Sequence, residues 1–145
     1  MKWLTAIMFK KKFLGIFFLI FFFSPASFAG SDDVEKMTKS EIETLLVGNT
    51  YPLGGKTLKK SKGAFYFSSV NDLVIVWKGK KGTGKWAADD KSQFCYTQTL
   101  WAGKECIMLK RNKKDGGYLH IFDGQTRKLK DNAIEQGNKL NKLSN

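Results

Sequence analysis

Residues 84–111 read GKWAADDKSQFCYTQTLWAGKECIMLKR, and this stretch decides the fold. It holds both cysteines, Cys95 and Cys106, together with Trp86 and Trp101. Apolar and polar residues alternate through it, as in strands with one buried face. Phe94 and Tyr96 fall on one side and Cys95 and Thr97 on the other; Ile107 and Leu109 alternate with Cys106 and Met108. The pattern predicts two neighbouring antiparallel strands, Phe94–Leu100 and Glu105–Arg111, joined through Trp101–Lys104 and stapled by one disulfide.

The staple implies an oxidising compartment, and the N-terminus agrees. Lys10, Lys11 and Lys12 precede an unbroken apolar run from Phe13 to Phe23. Pro25 breaks the segment, and small residues precede a cut after Ala29. This is the order of a secretory signal peptide over 1–29. The run is shorter than the roughly 20 residues that span a bilayer. The expected location is periplasmic or secreted. Cleavage leaves one domain's worth of chain, 116 residues from Gly30 to Asn145.

Two thiols in such a compartment most often pair. Ten residues lie between them, and closing so short a loop stabilises by roughly 2–3 kcal/mol in the chain-entropy model. A metal site would need more ligands than two cysteines and one histidine. No cofactor or metal is expected.

Formal charge is +12. Removing the leader takes 25 basic residues to 21 against 13 acidic ones, a net charge of +8. Only Arg111 and Arg127 carry the planar fork that reads phosphates; the lysines scatter over turns. A solvated basic surface is the economical reading, with weak attraction to anionic surfaces as the alternative. Export argues against a nucleic-acid partner.

Outward from the central stretch, residues 30–37 are polar and expected to be loose. Thr38 and Glu41 form a capping box, and Ile42, Leu45 and Leu46 recur at helical spacing until Gly48. These predict a helix over Lys39–Val47. The period then changes to two. Strands are expected at Thr50–Leu53, Ala64–Ser68, Leu73–Trp77, Gly84–Ala88, Gly117–Phe122 and Arg127–Ala133. Gly79–Gly84 reads as a turn, and Asp115-Gly116 and Asp123-Gly124 as hairpin signals. Residues 136–145 form a polar tail. The fold class is mainly β. A small antiparallel meander, closed into a barrel or folded as a sandwich, spans 38–135 with one short N-terminal helix.

Gly79–Lys85 follows the first positions of a phosphate-binding loop, but Trp86 stands where Ser or Thr should bind magnesium. His120 is the only histidine and has no serine in a nucleophile-elbow context. Asp89, Asp90, Asp115 and Asp123 fit turns better than a pair of catalytic carboxylates. No catalytic residue is assigned, and a non-enzymatic protein is expected. The aromatic residues are the candidates for binding: Trp77, Trp86, Tyr96 and Trp101 could line a pocket or an exposed face, with core packing as the plainer reading. Trp101 stands out because it falls in a turn.

The order L-V-G-N-T-Y at Leu46–Tyr51, G-K-W at Gly84–Trp86, F-C-Y at Phe94–Tyr96, Cys106 and D-G-G-Y at Asp115–Tyr118 resembles small secreted bacterial β domains of unknown function. The helix followed by Gly48 and Tyr51 is distantly similar to the entry of lipocalin-type barrels. Periplasmic protease-inhibitor barrels share the size, leader and single disulfide. These resemblances imply a fold type and a compartment. The function expected is a module binding a small ligand or a protein. A protease-inhibitor-like protein is the alternative, and an unrecognised hydrolase is the third reading.

Overall fold

A computed structural model describes residues 33–143 of the chain. The leader expected over 1–29 lies outside the described residues. The chain runs through β1 (Val34–Lys36), α1 (Lys39–Leu46), β2 (Asn49–Leu53), β3 (Gly63–Phe67), β4 (Asp72–Trp77), β5 (Lys80–Asp89), β6 (Gln93–Gln98), β7 (Glu105–Asn112), β8 (Tyr118–Phe122), β9 (Gln125–Lys128) and β10 (Glu135–Gln136).

The protein is mainly β, as expected. From β2 to β9 each strand pairs antiparallel with the next in chain order, and β10 returns to pair with β2. The meander curls into a half-barrel. Among the described residues β9 and β10 are not hydrogen-bonded to each other. The seam is crossed by loop contacts instead: Arg127 Nη1 donates to the Gly55 carbonyl at 3.2 Å, and the Lys130 amide to the Lys56 carbonyl at 3.2 Å.

The disulfide is present. Cys95 and Cys106 face each other on β6 and β7 with Cα atoms 4.0 Å apart. Their register places Phe94 opposite Ile107 on the inner face, so the staple and the core pattern specify the same pairing.

The inner face explains most of the aromatic residues. Tyr51, Phe65, Phe67 and Phe94 are fully buried. Phe94 meets Phe67 edge-on at 5.5 Å and Tyr51 at 5.6 Å. Burying each such side chain stabilises by about 1.5–3 kcal/mol, and the edge-to-face pairs add to it. Helix α1 packs on β2, β5 and β6 and buries Ile42 and Leu46 at one end of the curl. Its capping box is formed: the Glu41 amide donates to Thr38 Oγ1 at 3.3 Å, and the Thr38 amide to Glu41 Oε2 at 2.8 Å. Gly48 leaves the helix at φ +76°, a conformation that glycine adopts without strain.

Several expected boundaries are corrected. The stretch 30–37 is not wholly loose, because β1 pairs with β7, Val34 opposite Asn112 and Lys36 opposite Lys110. Arg111 fixes this corner, holding Glu35 and Glu41 with Nη1, each at 3.1 Å. The tail is tied down too. Beyond β10, the Thr50 hydroxyl donates to the Gly137 carbonyl at 2.6 Å and accepts from the Lys139 amide at 2.9 Å. The last long strand stops at Lys128, and Leu129 and Ala133 are buried from irregular backbone. Most important, Gly79–Gly84 is not a turn. Lys78 and Gly79 alone turn the chain, at φ 48° and 77°, and β5 starts at Lys80.

Candidate functional site

The strand register delivers one group of side chains to the end of the curl opposite α1. Leu53, Trp77, Glu105 and Phe122 lie at the ends of their strands there, and with Tyr96 of β6 they border a cavity of about 310 Å³. Leu53 pairs with Gly63, and Gly63 with Trp77. A Cβ on Gly63 would stand 2.6 Å from Trp77 Cε3 and 2.4 Å from the Val76 carbonyl oxygen. The indole lies on a shelf that only glycine leaves open. Trp101 meets it edge-on with ring centroids 6.1 Å apart.

Trp101 reaches this position because β5 is also bare. The loop after β6 folds back over Gly82, where a Cβ would lie 2.7 Å from Thr99 Oγ1 and 2.8 Å from Leu100 Cγ. Gln98 pins the loop, its Oε1 accepting from the Trp101 amide at 3.2 Å and its Nε2 donating to the Trp101 carbonyl at 2.7 Å. The glycines that mimic a phosphate-binding loop therefore serve packing. Gly79 makes the turn, while Gly82 and Gly84 sit in β5 and let the loop that carries Trp101 approach the sheet.

Three polar groups complete the lining. His120 is 2% exposed, and its Nδ1 is 2.5 Å from the Tyr51 hydroxyl. Burial, aided by the positive Arg127, lowers the imidazole to about 4, so the ring is neutral at pH 7. Burial likewise pushes the Tyr51 phenol far above its ordinary value. Its hydroxyl therefore stays protonated, and Nδ1 is the one acceptor it meets among the described residues; donating there leaves the proton of the neutral ring on Nε2. Glu105 accepts the Tyr96 hydroxyl in a short hydrogen bond. Burial and this carboxylate both raise the Tyr96 phenol. Arg127 lies opposite His120 across β8 and β9 and contributes to the lining. Among the described residues it pairs with no carboxylate.

No known family model, characterised protein or solved structure matches this chain.

Of the four expected binding residues, Trp77, Tyr96 and Trp101 converge on the cavity and Trp86 does not. Trp86 is buried at 3% exposure and packs on Phe67 at 4.7 Å. Its indole N–H is spent on the Ser69 carbonyl at 2.8 Å. Trp101 is half-buried rather than exposed. Glu105, His120 and Arg127 were not picked out as binding residues by sequence reasoning. Strict alternation with Ile107 and Phe122 places Glu105 and His120 on the inner face. A charged residue at an inward position was the available signal.

Asp115 serves its turn, accepting from the Gly117 amide at 3.0 Å. Asp123 and Gly124 form a two-residue hairpin with φ 48° and 70°, the geometry this dipeptide favours. No cluster of three metal-ligating side chains occurs among the described residues. No helix among them is long and apolar enough to cross a membrane.

Proposed function

We propose that this protein is an exported, non-enzymatic binding module whose small ligand occupies the aromatic cavity at the open end of the half-barrel. One observation carries the reading: Trp77 and Trp101 form an indole pair at 6.1 Å on the wall of a cavity of about 310 Å³. That volume is at the small end of ligand pockets. The walls are apolar and a few polar groups converge at defined positions, as ligand recognition requires.

The titratable groups support binding over catalysis. Glu105 is engaged by the Tyr96 hydroxyl, and His120 Nδ1 by Tyr51. A general base needs a free lone pair aimed at substrate, and on this imidazole the remaining nitrogen carries the proton. The disulfide and the leader-like N-terminus support export. The second reading is a protease-inhibitor-like protein acting through its N-terminal segment or a loop; within that segment Val34–Lys36 is paired with β7.

Native mass spectrometry of protein recovered from its own compartment tests this reading. The expected result is a chain starting at or near Gly30 that retains a small molecule, released by Trp77→Ala. A chain that carries nothing, and whose tryptophan emission no small aromatic compound changes, would overturn it.

A further inference from the structure

The polar end of the cavity indicates what chemistry the ligand carries. Arg127 and His120 are cross-strand neighbours on β9 and β8. The Arg127 guanidinium spends one N–H on the Gly55 carbonyl at 3.2 Å and meets no acid among the described residues. The His120 Nε2–H has no hydrogen-bond partner among them. No buried side-chain nitrogen or oxygen is left unsatisfied among the described residues, so Nε2 keeps some accessible surface, and His120 lines the cavity. Two adjacent donors, one of them a permanent cation, thus border a cavity whose one carboxylate, Glu105, is engaged by the Tyr96 hydroxyl.

The competing carboxylate is placed away from them. Leu109 is the β7 residue opposite His120. Glu105 precedes it by four residues, or about 13 Å of strand at ~3.3 Å per residue. The cavity is therefore polarised, with a cationic donor end at Arg127 and His120 and an acidic end at Glu105. Trp77 and Trp101 supply flat apolar surface to the same cavity.

We propose that the ligand is a small aromatic carboxylic acid. This rests on the cavity being a ligand site. The carboxylate accepts from Arg127 and from His120 Nε2–H, and the ring lies against Trp77 and Trp101. A guanidinium suits this role because its fork matches a carboxylate's two oxygens. A neutral imidazole N–H adds a donor without the desolvation cost of a second charge.

Calorimetry on the disulfide-bonded protein, with three probes of similar shape, tests the proposal. Naphthoate supplies ring and charge, naphthylmethanol the ring alone, and decalin carboxylate the charge on a non-aromatic frame. Naphthoate should bind at least tenfold more tightly than either of the others. Arg127→Gln should weaken naphthoate by about tenfold to a hundredfold, as expected for loss of a charged hydrogen bond, and leave naphthylmethanol unchanged. Equal binding of naphthoate and naphthylmethanol would overturn acid recognition while leaving the cavity a ligand site. Equal binding of decalin carboxylate would overturn the aromatic part. Failure of all three to bind would overturn the ligand site itself. The comparison of probes on the unmodified protein decides the matter even if Arg127→Gln does not fold.

Discussion

The Tyr51 hydroxyl on β2 donates to Nδ1 of His120 on β8 across 2.5 Å, joining strands six places apart in the sheet. A side-chain bond thus bridges a curl that backbone pairing leaves open. Both residues are fully buried or nearly so. The bond satisfies two polar groups that would otherwise each cost about 1–3 kcal/mol.

This pair makes stability depend on pH with a defined sign. The folded imidazole titrates at about 4, below the ordinary 6.5 that it regains on unfolding. Above pH 6.5 neither state is protonated and the full stability is present. As pH falls from 6.5 to 4 the unfolded chain takes up a proton that the folded chain refuses, and stability drops by up to about 3 kcal/mol. Urea melts across this range should show the loss, and His120→Gln should remove most of the slope. A slope unchanged in the variant would show that other groups cause it.

The disulfide predicts a stability difference that depends on oxidation. Cys95→Ser should lower the melting temperature by several degrees under oxidising conditions, for a loop whose closure contributes roughly 2–3 kcal/mol. Reductant should lower the unmodified protein to the same point and leave the variant unaffected. Coincident melts before and after reduction would contradict the staple.

Gly63→Ala tests the shelf beneath Trp77. Its new methyl would meet Val76 backbone at 2.4 Å, which a packed sheet cannot relieve cheaply. The expected cost is about 1–3 kcal/mol, with a shift in tryptophan emission as the indole moves. Gly103→Ala would meet nothing within 4 Å at its φ of +104°. It should cost only backbone strain, about 1 kcal/mol, and leave the emission unchanged.

The helix start is testable through its cap. Thr38→Ala should destabilise by about 1 kcal/mol. Glu41→Gln should cost less at the cap, because an amide oxygen still accepts from the Thr38 amide. It should nevertheless weaken the tie to Arg111 that anchors β1. Hydrogen exchange at Glu35 and Lys36 should then quicken, while exchange in β3 and β4 stays slow.

Trp86 and Trp101 show how the sequence could mislead about the site. Both are tryptophans in the same central stretch. One lies at an alternating strand position and the other in a turn, which made the turn residue look exposed. The register sends Trp86 into the core beside Phe67, and the fold-back over Gly82 brings Trp101 to Trp77. Neither outcome follows from local pattern. Each depends on which strands are neighbours and on where a missing side chain leaves room. Gly82 and Gly84 carried that information, but read locally they signalled a turn.

By itself, the sequence determined the strand-rich class, the helix with its cap, the pairing of the two cysteines and the hairpin at Asp123-Gly124. These rest on local rules: a period of two or 3.6, a capping geometry, a backbone angle that few residues tolerate. Tertiary structure alone decided the degree of curl, the seams made by β1 and β10, and the meeting of Trp77, Trp101, His120 and Arg127 around one cavity. Two- and three-residue strands are too short to carry a period. Trp77 lies 24 to 50 positions from the other three, and β1 and β10 pair with residues 74 to 87 positions away; no local signal marks such contacts, because burial and register over the whole sheet set them.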